Sequence, residues 1–401
     1  MLTLTFDEKR TLDTGFAAAF GAMPQRYFSA PGRTEIGGNH TDHQHGRVLA
    51  AAVDLDTRAA VRRNGTNTIR VQSQGYPLCC VELSELEPVA AEQNSTAALI
   101  RGVAARFAQL GCPVQGFDAY VMSTVLPGSG LSSSAAFEVL MGTVINALFF
   151  ENTLTAPQIA MLGQYAENVY FGKPCGLMDQ MASSVGGLVA IDFADPAKPE
   201  IRSVGFDFSA CGHALCIIDT HASHADLTDE YAAVPEEMKA VAAYFGANVL
   251  TQVPEGDFYA AIPALRKACG DRAVLRAIHF YEENVRVLRQ VAALEQGDFP
   301  AFLELVKQSG RSSYMYLQNV IVSGSRAHQD VALALAMCEK YLNGRGAFRV
   351  HGGGFAGTVQ AFVPCDMLED FRLAMDRVLG QGSCHVLSIR QLGGTEMEEK
   401  V

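Results

Sequence analysis

Three short segments concentrate the residues able to handle a phosphorylated or hydroxyl-rich ligand. In the first, Leu126-Pro127-Gly128-Ser129-Gly130-Leu131-Ser132-Ser133-Ser134 leads from a strand-like stretch into an apolar helical pattern over 132–150. Glycines let backbone N–H groups approach an anion, and a helix start adds unpaired donors and the positive dipole end, so phosphate is the natural guest. The segment has neither the Walker nor the Gly-x-Gly-x-x-Gly form. The plainer reading is a serine-rich helix cap, although three consecutive serines exceed what capping requires.

The second segment runs Ala30-Pro31-Gly32-Arg33-Thr34-Glu35-Ile36-Gly37-Gly38-Asn39-His40-Thr41-Asp42-His43-Gln44-His45-Gly46. This turn-rich run places Arg, Asn, His and Asp within ten residues, which suits a polyhydroxylated molecule whose hydroxyls need donors and acceptors. A solvated polar loop is the bland alternative. A metal site at His40, Asp42, His43 and His45 lacks supporting helical spacing or a cysteine pair. The third segment, His351-Gly352-Gly353-Gly354-Phe355-Ala356-Gly357, precedes a strand-like run at 358–363, and by itself reads as a tight turn.

The elements that must position these segments belong to a chain of 401 residues, 49% hydrophobic and 18% charged, enough for a large core and for two lobes. A formal net charge of −12 disfavours nucleic acid and anionic membranes as partners. No apolar run reaches the roughly 20 residues of a membrane span, and residues 1–10 do not read as a secretory signal, so a cytoplasmic location is the expectation. Ten dispersed cysteines without a Cys-x-x-Cys pair point to reduced, mostly buried thiols. A monomer or weak homo-oligomer is the expected assembly.

Strands are predicted at 57–61 and 68–73, joined by an Asn64-Gly65 hairpin turn, and at 214–219, 358–363 and 385–389. Helices are predicted over 132–150 with hydroxyl caps, from Thr155 to just before Gly172, and over 273–294, 327–342 and 366–379. Without a strict βαβ rhythm, the fold class is two-lobed α+β. Residues 192–200, polar and proline-containing, mark the expected boundary between an N-terminal domain (1–195) and a C-terminal domain (196–401).

Taken in order, the three segments resemble the signatures of the sugar, homoserine, mevalonate and phosphomevalonate (GHMP) kinases, and within that superfamily the galactokinases. Residues 31–43 follow the galactokinase signature Pro-Gly-Arg-Val/Ile-Asn-Leu-Ile-Gly-Glu-His-Thr-Asp-Tyr, and Cys175-Gly176-Leu177-Met178-Asp179-Gln180 is similar to the family's Cys-Gly-Ile-Met-Asp-Gln. The resemblance implies a two-lobed fold with the active site between the lobes, and ATP-dependent, Mg²⁺-assisted transfer of the γ-phosphate to a sugar's anomeric hydroxyl. It also implies roles for individual residues. Asp179 matches the catalytic carboxylate and Arg33 its arginine, while Ser134 and Glu167 match the magnesium ligands. The nucleotide would contact Ser73, Gly128, Ser129, Gly130, Leu131, Ser132, Ser133 and Ser134; the sugar would contact Asn39, His40, Thr41, Asp42 and Tyr231. These roles suit the chemistry, since a sugar hydroxyl needs a proton acceptor and phosphoryl transfer needs alignment and charge neutralisation.

Four departures bear on the resemblance. Asn39 replaces the glutamate that meets the sugar's outer hydroxyls, His43 replaces tyrosine, the turn between Pro127 and Gly130 is one residue short, and Ala356 replaces glycine. Loss of a carboxylate near C6 would admit a sugar that itself carries one there. Uronic-acid kinases of the superfamily also lack that glutamate and share an Asp-His-Gln run. Galactose is the expected substrate, with a 1-kinase of a related sugar such as galacturonate, or a non-catalytic sugar and ATP sensor, as the alternatives.

Overall fold

The computed structural model describes residues 2–125, 130–173, 175–222 and 227–399. Leu126, Pro127, Gly128 and Ser129 of the serine-rich segment lie outside the described residues. In chain order the strands are β1 (Thr3–Leu4), β2 (Arg26–Gly37), β3 (Arg47–Arg63), β4 (Thr68–Ser73), β5 (Cys79–Glu82), β6 (Phe117–Ser123), β7 (Leu188–Asp192), β8 (Glu200–Ser203), β9 (His213–Asp219), β10 (Ala347–His351), β11 (Thr358–Pro364), β12 (Cys384–Leu387) and β13 (Thr395–Glu399). The helices are α1 (Phe6–Phe20), α2 (Thr96–Gln109), α3 (Ser133–Phe149), α4 (Ala156–Tyr165), α5 (Met178–Val185), α6 (Thr228–Tyr244), α7 (Glu255–Ala268), α8 (Asp271–Glu295), α9 (Phe299–Ser312), α10 (Asp330–Leu342) and α11 (Leu368–Leu379).

One mixed sheet has the order β1-β13-β2-β3-β6-β4-β5, with β7 on the far half of β3 and β8 beside β7. Helices α2, α3 and α4 cover one of its faces, burying Phe28, Val61, Phe117, Leu140 and Val144 in a shared apolar layer. A second sheet, β10-β11-β9-β12, packs on α10 and α11 through Ile218, Val359, Val363 and Phe371. Between the sheets, α8 and α9 bring Val287, Val291, Phe302 and Val306 against Leu49, Ala51 and Phe362. This α+β arrangement agrees with the fold class expected from the sequence. No helix among the described residues is long and apolar enough to cross a membrane.

Several local expectations change. The 30–46 segment is not all turn, because β2 extends to Gly37 with Tyr27 to Gly37 buried. Register shifts at Pro31/Arg33 and Glu35/Gly37 absorb the proline and glycines as bulges, where a missing N–H costs no ladder bond. The Asn64-Gly65 turn does not close a hairpin either. β6 inserts between β3 and β4, antiparallel to one and parallel to the other. The Asn64 amide holds that gap open, donating to the Thr68 carbonyl at 3.0 Å and to Asp118 at 2.8 Å.

The stretch 192–200 is the turn of a β7–β8 hairpin within the first sheet, so the chain passes between the sheets after β8. β13 then returns to the first sheet beside β2. The ten cysteines are all free, yet only Cys112, Cys216, Cys338 and Cys384 are fully buried, fewer than composition suggested. The helix expected from Thr155 is present with a capping box to Gln158. It continues past Tyr165 as a wide π-type turn, Ala166–Phe171, that ends at Gly172 in the left-handed conformation.

Candidate active site

Arg33 and Asp179, 146 residues apart, meet at the start of α3. The bulge at Pro31/Arg33 brings β2 so close to the serine-rich segment that a Cβ on Gly32 would lie 2.9 Å from the Leu131 carbonyl oxygen. There the Arg33 backbone N–H donates to the Leu131 carbonyl at 3.0 Å. The Arg33 guanidinium forms a two-pronged bridge to Asp179, Nε to Oδ1 at 2.7 Å and Nη2 to Oδ2 at 2.8 Å, and its Nη1 donates to the Gly130 carbonyl. Such a fork fixes the carboxylate plane as well as its charge.

Ser132 adds its hydroxyl to Asp179 Oδ2. It was expected to cap α3, but with φ of 57° it sits in the left-handed region and its side chain caps nothing. Strain of that kind at a non-glycine residue persists where surrounding structure holds it and clusters at functional sites. Burial pushes the Asp179 carboxyl up, but Arg33 and the Ser132 hydroxyl outweigh it and bring its pKa down to about 2. Asp179 is therefore ionised at any physiological pH, and with 31% of its side chain accessible it can still be reached by a ligand.

Two residues further on, the Ser134 hydroxyl lies 3.2 Å from Glu167 Oε1. The π-type turn after α4 aims Glu167 inward, a common use of such turns. Gln180, next to Asp179, donates through its single amide nitrogen to Glu167 at 2.8 Å and to Glu138 at 3.0 Å. Burial, reinforced by the neighbouring Glu167, holds the Glu138 carboxyl well above the usual carboxylate range. Lys173 approaches Glu167 from outside at 3.7 Å.

The polar segment after β2 lies against the Cys175–Gln180 run and the third glycine segment. A Cβ on Gly176 would fall 1.7 Å from Asp42 Oδ2, so the residue three before Asp179 must be glycine for Asp42 to occupy its place. His40, half-buried, donates from Nε2 to the Gly353 carbonyl at 3.0 Å, and burial, with His43 nearby, lowers its pKa to about 3. Tyr231 on α6 donates to the Gly354 carbonyl at 3.0 Å and packs edge-on against Phe355. Its ring occupies the space that a Cβ on Gly353 would need.

Thr41 and Asn39 differ from His40 and Asp42. The Thr41 hydroxyl is used inside the fold, by the Gly38 and Arg47 carbonyls. Asn39 is fully buried, its Nδ2 within hydrogen-bond reach of Glu35 and the Gly352 carbonyl and its Oδ1 accepting from Asn319 and Ser313.

The structure thus gathers Arg33, Asp179, Gly130, Leu131, Ser132, Ser134 and Glu167 around the start of α3, where Ser133 is the first helical residue. His40, Asp42 and Tyr231 join them through the glycine segments. Ser73, at the end of β4 opposite Val121, makes no side-chain hydrogen bond to this group among the described residues. Gly128 and Ser129 are not among those residues.

Five residues at the site were given no role from the sequence: Glu35, Glu138, Gln180, Arg349 and His351. His351 ties the third segment to β2, accepting from the Glu35 N–H at 3.2 Å and lying 3.0 Å from both the Thr34 and Thr358 hydroxyls. A buried acid amid the apolar spacing of α3 was the available signal for Glu138. For Glu35 the signal was its replacement of the signature's asparagine; the other three sit in runs whose pattern carries no such anomaly.

Residues 14–63 match the galactokinase galactose-binding signature, and residues 98–187 match the GHMP kinase N-terminal domain. A galactokinase of Streptomyces coelicolor is 34% identical over 355 residues, 88% of each chain. The crystal structure of Lactococcus lactis galactokinase complexed with galactose superimposes with a TM-score of 0.82 at 25% identity, covering 96% of this chain and 99% of that one. A mevalonate kinase structure, 14% identical with a TM-score of 0.63 over 92% of this chain and all of that one, shares the fold. The chain belongs to the galactokinase family of the GHMP kinases.

Proposed function

We propose that the protein transfers the γ-phosphoryl group of ATP to the anomeric hydroxyl of galactose, giving galactose 1-phosphate and ADP. The observation that carries the reading is the Asp179 carboxylate, clamped by Arg33 and Ser132 at the start of α3 yet still accessible. In the reaction the sugar O1 forms a bond to the γ-phosphorus, the bond from that phosphorus to the bridging oxygen breaks towards ADP, and the O1 proton passes to Asp179. A carboxylate whose pKa is about 2 is a weak base. It takes that proton only once O1 has begun to bond to phosphorus and become acidic; before then it orients the hydroxyl. Arg33 offsets negative charge where the phosphoryl group passes, and the α3 N-terminus offers backbone donors to the remaining phosphates.

Mg²⁺ fits the residues present. Ser134 and Glu167 converge as two oxygen donors, the type this hard cation prefers, and among the described residues no cluster of three or more His, Cys, Asp or Glu competes to cage it. The cation would complete its shell from nucleotide phosphates and water, and would supply charge neutralisation. His40, Asp42 and Tyr231 would bind the sugar.

The test is phosphorylation of galactose, galacturonate, arabinose and glucose, with the product's phosphorus position read by NMR. Galactose 1-phosphate is expected. Binding of ATP and sugar without turnover would replace the enzyme with a sensor.

A further inference from the structure

Behind the sugar-facing segment lies a buried charge pair whose arrangement differs from the family signature. That signature has asparagine four residues before glutamate; this chain has Glu35 four residues before Asn39, the same two side-chain types exchanged. The exchanged residues touch. Asn39 Nδ2 lies 3.1 Å from Glu35 Oε1, and the same oxygen accepts from Arg349 Nη2 on β10. Arg349, Glu35 and Asn39 are 0%, 2% and 0% exposed.

A guanidinium so buried requires a countercharge, and a second carboxylate in contact with the first would oppose it at heavy cost. One acid is therefore allowed at this pair of positions. Here it is drawn back onto Arg349, and position 39 presents an amide whose own hydrogen bonds are satisfied by Gly352, Asn319 and Ser313. Around the pair, Arg349 Nε and Nη1 are without partners among the described residues, and so is the acceptor Asn319 Oδ1.

We propose that Glu35, Asn39 and Arg349 form a transposed specificity pair, which withdraws negative charge from the sugar pocket so that the protein accepts a hexose whose C6 is a carboxylate alongside one whose C6 is a hydroxyl. This rests on the sugar 1-kinase reading above and refines its substrate class. Like-charge rejection is a strong discriminator, and its removal levels the two affinities.

The experiment is calorimetric binding of galactose and galacturonate, with phosphorylation rates in parallel, to the wild-type protein and to the E35N/N39E double variant, which restores the signature order. Comparable wild-type affinities, within tenfold, are expected, with the double variant shifting the ratio at least tenfold towards galactose. A wild-type preference for galactose above tenfold, or a ratio that the double variant leaves unmoved, overturns the proposal. If the double variant does not fold, the wild-type ratio alone decides. Absence of phosphorylation with both sugars bound would sink the kinase reading while leaving this ratio intact.

Discussion

Replacing Asp179 by asparagine isolates the central carboxylate with little change of shape. The asparagine keeps one oxygen, which can accept from only one prong of the Arg33 fork; its NH₂ then faces the other guanidinium donor, and in one orientation the Ser132 hydroxyl as well. Two consequences follow, one for stability and one for rate. A carboxyl held at about 2 instead of its ordinary 3.8 contributes roughly 2 kcal/mol to folding. Because the folded value is the lower one, that contribution is complete above about pH 4.5 and fades as the pH falls through 2. Wild type should therefore exceed D179N by about 2 kcal/mol in urea melts at pH 7, with the gap narrowing towards pH 2.5. For catalysis, loss of the proton acceptor should lower kcat by between about 10² and 10⁴ while the galactose Kd stays within about tenfold, since the group acts chiefly in the transition state. Stopped-time phosphorylation and calorimetry measure the two separately. Equal losses of affinity and rate would refute the assignment and make Asp179 a structural anchor for Arg33.

Gly176→Ala drives a methyl into the place of Asp42 Oδ2 and should weaken galactose binding by about tenfold to a hundredfold, an overpacking effect read by calorimetry. Ser132→Ala removes a hydrogen bond to a charged group and should lower kcat/KM about tenfold; Ser132→Gly loses the same bond but relieves the left-handed backbone, so it should melt above the alanine variant by an amount worth about 1 kcal/mol. Asn64→Ala, remote from the site, should cost about 1–2 kcal/mol in urea denaturation with kcat unchanged, because it leaves the β3–β6–β4 gap without its clamp.

Apolar periodicity made the helices legible: α8, α10 and α11 lie within a few residues of their predicted spans, and Thr155 and Gly172 bracket their element as local capping chemistry requires. The sheet was harder to read, because its pairing is set by distant partners. Asn64-Gly65 does reverse the chain, but the strand that accepts β3 begins at Phe117, and no local signal announces an insertion from so far along. Pro31 and Gly32 looked like turn residues since bulges use the same residue types as turns. At the site, the glycine segments could be read as anion and ligand cradles from physical chemistry alone. The Arg33–Asp179 bridge could not, because an aspartate in the first turn of a helix is ordinary; it became visible only through family resemblance. The Glu35–Asn39 exchange can be read against the family signature, but the contact between the two side chains and their shared Arg349 needed coordinates.

The strand that carries Arg33 has neighbours made at very different times. β3 follows it at once, whereas β13 supplies its other flank only at Thr395–Glu399, with Arg26 and Glu396 locked across that seam. During synthesis on the ribosome β2 must therefore wait as an open edge while more than 350 intervening residues emerge. An unpaired apolar strand held exposed so long is a template for association between nascent chains. Arg33 thus sits on the strand whose second flank is the last to be closed.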